Sequence, residues 1–262
     1  YAVVAEDVRA ARAAMAHAVV DITPEKAVVT IDQALDGQHF LDAPWTIKKG
    51  DAIKAIDQAP HKIEGVLNVG GQEHFYLEGQ AAMAIPEENN QVTVHVSSQH
   101  PTEIQHKVAE VLGYAHHDVQ VEVRRMGGGF GGKESQGNHP ACLSALAACI
   151  TGRPVKMVYD RDDDMKITGK RHDIKISYRA GFDENGRITG VVFDQALRCG
   201  MSFDLSKAIS ERAVLHADNA YDIPNISVTS YLCRTNTPSN TAFRGFGGPQ
   251  GMMGIERVMD QI

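Results

Sequence analysis

At 262 residues, with 43% hydrophobic residues and a formal net charge of −7, the chain is long enough to bury a sizeable core. It is also too acidic to favour nucleic acid or an anionic membrane as a partner. No apolar run approaches the roughly 20 residues that span a bilayer, and Glu6, Asp7 and Arg9 near the start are unlike a signal peptide.

In chain order, Tyr1–Val4 reads as a strand, and alanine-rich Glu6–His17 as a helix with acidic residues in its first turn. Val19–Ile22 reads as a second strand and Thr30–Leu35 as a short helix. The polar stretch Lys48–Asp57, with Gly50, is a candidate domain boundary. His61–Val69, Glu73–Ile85 and Gln91–Ser97 read as strands, the last alternating Val92, Val94 and Val96 with polar residues. Thr102–Leu112 reads as a helix ended by Gly113, and Val119–Val123 as an alternating strand. A helical pattern covers His139–Ile150, and Val155–Asp160 is strand-like. The run Asp162, Asp163, Asp164 reads as a solvated acidic face. Asp183-Glu184-Asn185-Gly186 reads as a hairpin turn between two strands, and Val228–Cys233 as a further strand. Ile255, Val258, Met259 and Ile262 recur at i, i+3, i+4, i+7. Neither a cap residue nor a glycine stops that last helix. Both ends look cut, so the chain is expected to be a piece of a longer polypeptide whose last helix exposes its apolar face. Strands and helices mix without a strict βαβ rhythm, which gives the α+β class.

The four cysteines, Cys142, Cys149, Cys199 and Cys233, show no C-x-x-C spacing. Cys142 and Cys149 lie seven apart on a predicted helix, about 10 Å between Cα atoms and too far for a disulfide. Reduced thiols in a cytoplasmic protein are expected, without zinc or iron–sulfur ligation by this chain.

The chemistry is concentrated in two glycine loops. The first, Met126-Gly127-Gly128-Gly129-Phe130-Gly131-Gly132-Lys133-Glu134, connects a strand to a helix. Its backbone can approach a ligand closely, and a phosphate-bearing ligand is the first expectation. Gly127, Gly129 and Gly132 satisfy G-x-G-x-x-G, but the preceding strand alternates polar and apolar residues, whereas a dinucleotide-binding strand is buried on both faces. Gly127 to Lys133 satisfies the start of a phosphate-cradling P-loop, but Glu134 stands where a magnesium-binding Ser or Thr is needed. The second loop, Asn240-Thr241-Ala242-Phe243-Arg244-Gly245-Phe246-Gly247-Gly248-Pro249-Gln250, also follows a strand and precedes a helix. Two loops with one grammar, an aromatic among glycines beside a charge, predict that both converge on one ligand.

These loops, together with Gly71-Gln72-Glu73-His74-Phe75-Tyr76-Leu77-Glu78, resemble the molybdenum-binding chain of the xanthine dehydrogenase and xanthine oxidase family of molybdenum hydroxylases. The resemblance covers nearly the whole chain. It implies that residues 1–57 form the C-terminal part of an α/β-hammerhead domain. Residues 58–262 then form the N-terminal part of a molybdopterin-binding domain. It implies a molybdenum–molybdopterin cofactor, with [2Fe–2S] clusters and FAD on other domains or subunits, and a homo-oligomer. The implied reaction is hydroxylation of xanthine or hypoxanthine by metal-bound hydroxide, with hydride transfer to a sulfido ligand.

The same resemblance assigns residues. Gln99, Phe130, Gly131 and Arg244 would surround the cofactor; Gln99, Phe130 and Arg244 would lie around the metal's ligands without being side-chain ligands themselves. Glu134 and Arg212 would be the catalytic, purine-gripping pair, with Arg212 stabilising negative charge that builds on the ring. Phe246 would stack on the flat substrate. The general-base glutamate belongs to sequence outside this chain, so the isolated segment is expected to be inactive and to bind no cofactor. Aldehyde oxidation is the alternative within the family, a non-catalytic binding or assembly module is another, and a nicotinamide dehydrogenase is the rival drawn from the loop motif alone. Glu73, His74 and Glu78 stand in the shared motif with no role that chemistry assigns.

Overall fold

The computed structural model describes residues 1–262. Its helices are α1 (Val8–Met15), α2 (Ile31–Asp36), α3 (Ala52–Gln58), α4 (Pro101–Leu112), α5 (Asn138–Thr151), α6 (Arg161–Ile167), α7 (Ser206–Leu215) and α8 (Gly248–Gln261). Its strands are β1 (Trp45–Lys49), β2 (His61–Val69), β3 (Ala81–Pro86), β4 (Val92–Val96), β5 (Val119–Glu122), β6 (Val155–Val158), β7 (Ile174–Phe182), β8 (Ile188–Gly200) and β9 (Ile226–Arg234). The mixed α+β class follows, and no helix is long and apolar enough to cross a membrane.

The chain folds as two units. The first contains Tyr1–Lys26, Tyr76–Gly129 and Lys133–Lys166; the second contains Ala27–Phe75, Phe130–Gly132 and Ile167–Ile262. The chain therefore passes from one to the other inside the Gly71–Glu78 motif and twice inside the first glycine loop.

The first unit holds a four-stranded sheet in the order β5-β4-β3-β6, in which only β4 and β5 run parallel. Parallel neighbours need a crossover, and α4 supplies it. Pro101 starts α4, where a missing N–H costs nothing, and Gly113 ends it with φ at 68°. The alternation of β4 buries Val92, Val94 and Val96 against Ile104 and Val108 of α4 and Ala141, Ala145 and Ala148 of α5. Burying Val94 or Ile104 contributes about 1.5–3 kcal/mol each. The α5 residues at the centre of this core are alanines, which lets that helix lie close to Ala82 and Ala84 of β3. In the same unit, α1 starts at Asp7, whose side chain accepts from the Ala10 N–H.

The second unit holds a five-stranded sheet in the order β1-β9-β8-β7-β2, with only β8 and β9 parallel and α7 as their crossover. β7 and β8 form the expected hairpin, whose turn is held by Asp183 accepting from the N–H groups of Asn185 and Arg187. Alternation along the strands sends Ile174, Ile176 and Tyr178 of β7, and Val191, Phe193 and Leu197 of β8, to one face. Ile209 of α7 and Ile255 and Val258 of α8 cover that face. Gly181 and Gly190 point to the opposite face, against α3. Short α2 starts at Thr30, which forms a reciprocal capping box with Gln33.

Several expectations are corrected. Tyr1–Val4 and Val19–Ile22 are not strands: Val19, Val20 and Ile22 are exposed, and no neighbouring strand pairs with them. Of Glu73–Ile85 only the end, β3, is a strand. The preceding residues form an irregular segment with Phe75 left-handed, at φ 52°. Asp164 is not solvated; it is 1% exposed and accepts from the Tyr76 hydroxyl and the Gln80 N–H. The apolar face of α8 is not exposed either. Ile255 and Val258 are fully buried and Met259 and Ile262 pack on the same core.

Candidate functional site

In the second unit the two glycine loops meet. The Arg244 N–H donates to the Phe130 carbonyl at 3.0 Å. Gly131 adopts φ 99°, and a Cβ there would lie 2.8 Å from both C and O of Ala242. Only glycine allows this backbone conformation and this backbone-to-backbone approach. Phe130 and Phe246 are both left-handed, with φ of 53° and 47°. That region is sparsely populated for an aromatic residue, and such strain concentrates at functional sites. Phe130 is half exposed, whereas Phe246 packs partly on the core beneath α7 and α8.

The second loop is pinned from several sides. Asn240 is buried; its carbonyl oxygen accepts from the Lys170 N–H and its amide donates to the Arg198 carbonyl. His74 Nε2 donates to the Ala242 carbonyl at 2.6 Å, and its ring lies 4.9 Å from that of Phe243. The Arg171 guanidinium sits 4.0 Å from the Phe243 ring centroid and donates to the Arg244 carbonyl. Glu73 pairs with Lys170 at 2.7 Å. Arg212, on α7, has its Nε 3.9 Å from where a Cβ on Gly248 would be, at the start of α8 and two residues after Phe246. The second unit thus contains Phe130, Gly131, Arg212, Arg244 and Phe246, with Phe130 and Gly131 joined directly to Ala242–Arg244.

In the first unit, Gln99 follows β4 and precedes α4, at the carboxyl end of a parallel strand, the position where open α/β sheets present ligand-binding groups. Its N–H donates to the Lys133 carbonyl at 2.8 Å, and its Oε1 accepts from the Lys133 N–H at 3.2 Å. A Cβ on Gly129 would lie 2.5 Å from that Oε1, so the absence of a side chain there makes room for the Gln99 amide. Glu78 Oε2 accepts from the Gly127 N–H and from Ser97 Oγ, both at 2.7 Å, and faces Lys133 Nζ at 3.3 Å. Partial burial pushes the Glu78 carboxyl up, but these hydrogen bonds and the ammonium outweigh it and leave it below the usual carboxylate range. Burial pushes the Lys133 ammonium down, against the opposing pull of Glu78. Glu134 is half-buried at the close of the loop.

Gln99 and Glu134 therefore belong to one unit, and the remaining expected site residues to the other. The motif Gly71–Glu78 serves both. Glu73 and His74 hold the second loop's surroundings, and Tyr76 and Glu78 those of the first. The sequence placed Lys133 in the first loop but not its buried ion pair, and it passed over Arg171, because nothing local distinguishes either from a surface cation. The glycine before Lys133 and the aromatic that Arg171 covers were the available signals.

The model of the molybdopterin cofactor-binding domain family matches residues 34–262. The chain is 46% identical over 243 residues to xanthine dehydrogenase of Drosophila subobscura, covering 92% of this chain and 18% of that protein. It is 44% identical over 238 residues to xanthine dehydrogenase/oxidase of Gallus gallus, covering 90% of this chain and 18% of that one. Among solved structures, aldehyde oxidoreductase from Desulfovibrio gigas matches with a TM-score of 0.88 at 26% identity, covering 98% of this chain and 29% of that one. Quinoline 2-oxidoreductase from Pseudomonas putida shares the fold, with a TM-score of 0.90 at 21% identity over 98% of this chain and 34% of that one. The chain belongs to the molybdopterin cofactor-binding domain family.

Proposed function

We propose that this chain is part of a molybdenum-dependent hydroxylase that oxidises xanthine or hypoxanthine. The observation that carries the reading is the joining of the two glycine loops, with Arg244 N–H on the Phe130 carbonyl and Gly131 against the Ala242 backbone. The identity of 44–46% to xanthine dehydrogenases favours a purine over the aldehyde alternative.

The residues fit a molybdopterin group. Glycine at 129 and 131 lets the Gln99 amide and the Ala242 backbone pack directly against the loop's main chain, and the donors there are amides and a permanently charged guanidinium. Gln99, the Phe130–Gly131 main chain and Arg244 would hold the group. When bound, it supplies the two-electron oxidant for hydroxylating an electron-poor carbon. Glu134 and Arg212 would grip the donors and acceptors of the purine. The Arg212 guanidinium would also stabilise negative charge growing on the ring. Phe246 would present its face to the flat heterocycle. Proton abstraction falls to a group outside this chain. Electrons would leave through [2Fe–2S] clusters and FAD on other domains or subunits of a homo-oligomer. Four free thiols support a cytoplasmic setting.

The test is substrate preference in the complete protein. Glu134→Val with Arg212→Met replaces the polar grip by an apolar wall. Each lost charged contact costs about 1.5–3 kcal/mol, so purine turnover falls steeply while aldehyde turnover is spared or rises. Equal losses on both substrate classes would overturn the reading.

A further inference from the structure

Lys133 is wholly buried, at 0% exposure. Taking an ammonium out of water is costly, and a methionine would fill the same volume without that cost. The cation is instead built into a network. Its Nζ donates to Ser97 Oγ at 2.8 Å, faces Glu78 Oε2 at 3.3 Å and lies 4.6 Å from the centroid of the Tyr76 ring. The same Glu78 oxygen takes the Gly127 N–H. One carboxylate oxygen therefore ties together the start of the first glycine loop, its end, and Ser97, which follows β4 two residues before Gln99.

The Lys133 main chain is also what holds Gln99. It gives its N–H to Gln99 Oε1, while its carbonyl takes the Gln99 N–H and Ser98 Oγ. Because Oε1 is directed at Lys133, the amide nitrogen of Gln99 is turned the other way, as a donor. We infer that Lys133 is a positioning residue. Its buried ammonium, clamped by Glu78 and Ser97, sets which end of the Gln99 amide is presented to a ligand. This deepens the proposed function and rests on it for the identity of that ligand.

The experiment compares Lys133→Met, Gln99→Ala and their double variant in the complete protein. Molybdenum content, turnover per molybdenum, and amide hydrogen exchange at residues 97–100 and 126–134 are all measured. Residues that orient a metal site's immediate contacts change activity by about 10–100-fold when lost, and that drop is expected for Lys133→Met. In the Gln99→Ala background the same substitution should change turnover by less than about 2-fold, since Lys133 acts through Gln99. Multiplying losses in the double variant would overturn the inference. Lys133→Gln, which keeps a donor toward Ser97, carries the comparison if the methionine variant fails to fold. A wild-type protein without molybdenum would defeat the proposed function alone. The positioning role would then be read from hydrogen exchange, which must rise at Gln99 and Gly127 in Lys133→Met. Unchanged exchange there would overturn it.

Discussion

Replacing Gly131 by alanine tests the backbone-to-backbone packing of the two loops. Its φ of 99° is strained for any residue with a side chain, at about 1–3 kcal/mol. The new Cβ would meet C and O of Ala242 at 2.8 Å and N of Phe243 at 3.0 Å. All three are main-chain atoms of a segment pinned by His74 and by the Arg244–Phe130 hydrogen bond. Relief requires the loop itself to shift, and forced overpacking of that kind adds about 1–3 kcal/mol. The control is Gly129→Ala. There the clash, at 2.5–2.9 Å, is with the Gln99 side chain alone, which can rotate away. What is lost is the Lys133 N–H bond to Oε1, about 0.5–1.5 kcal/mol. Gly129 belongs to the other unit, so urea unfolding of the protein is followed by far-ultraviolet circular dichroism, which reports the helices and strands of both units. Gly131→Ala should lower the protein's stability by roughly 2 kcal/mol or more, and Gly129→Ala by much less. A Gly131→Ala protein within about 0.5 kcal/mol of wild type, or a larger loss from Gly129→Ala, would refute the packing argument.

Two further predictions concern buried titrating groups. His172 is fully buried, with its pKa lowered to about 3 by desolvation and the nearby Arg198, and its Nε2 shares a 2.7 Å hydrogen bond with Ser206. The unfolded chain then binds the extra proton first, so the stability that neutral His172 confers is complete above about pH 6.5 and is lost as pH falls toward 3. Urea midpoints at pH 7 and pH 5 should fall further for wild type than for His172→Gln, and equal falls would contradict this sign. Burial pushes the Cys199 and Cys233 thiols up to about 12, whereas Cys142 and Cys149 are only half-buried. Alkylation of the native protein followed by mass spectrometry should label Cys149 well before Cys199 or Cys233, and early labelling of either buried thiol would show that its surroundings are open.

What the sequence disclosed was local. The nine-residue period-two run of β2, the Thr30 cap of α2 and the Gly113 stop of α4 are each written in neighbouring residues. What it hid depends on distant partners. Asp164 reads as one of three solvated carboxylates until Tyr76, 88 positions away, donates to it. Glu78 has no visible role until it captures the Gly127 N–H, 49 positions away. Glu73–Gln80 carries strand-forming residues, yet its side chains are committed to both glycine loops and no ladder forms there. Tyr1–Val4 shows the converse, an apolar run with no strand to pair with. The close approach of the two loops was legible through their motifs, because glycine at a fixed spacing records a steric requirement directly. The roles of the supporting cations Lys133 and Arg171 were not, since a buried and an exposed lysine or arginine look alike in a sequence.

The proposed function requires the two glycine loops to cradle a molybdenum cofactor. The most direct measurement is elemental molybdenum, with oxidised pterin, in the complete protein purified from a host that makes the cofactor. Stoichiometric molybdenum and pterin, both lost when Gly131 is replaced in the folded protein, is the predicted result. A folded wild-type protein with neither, or one that keeps both after that replacement, would contradict it.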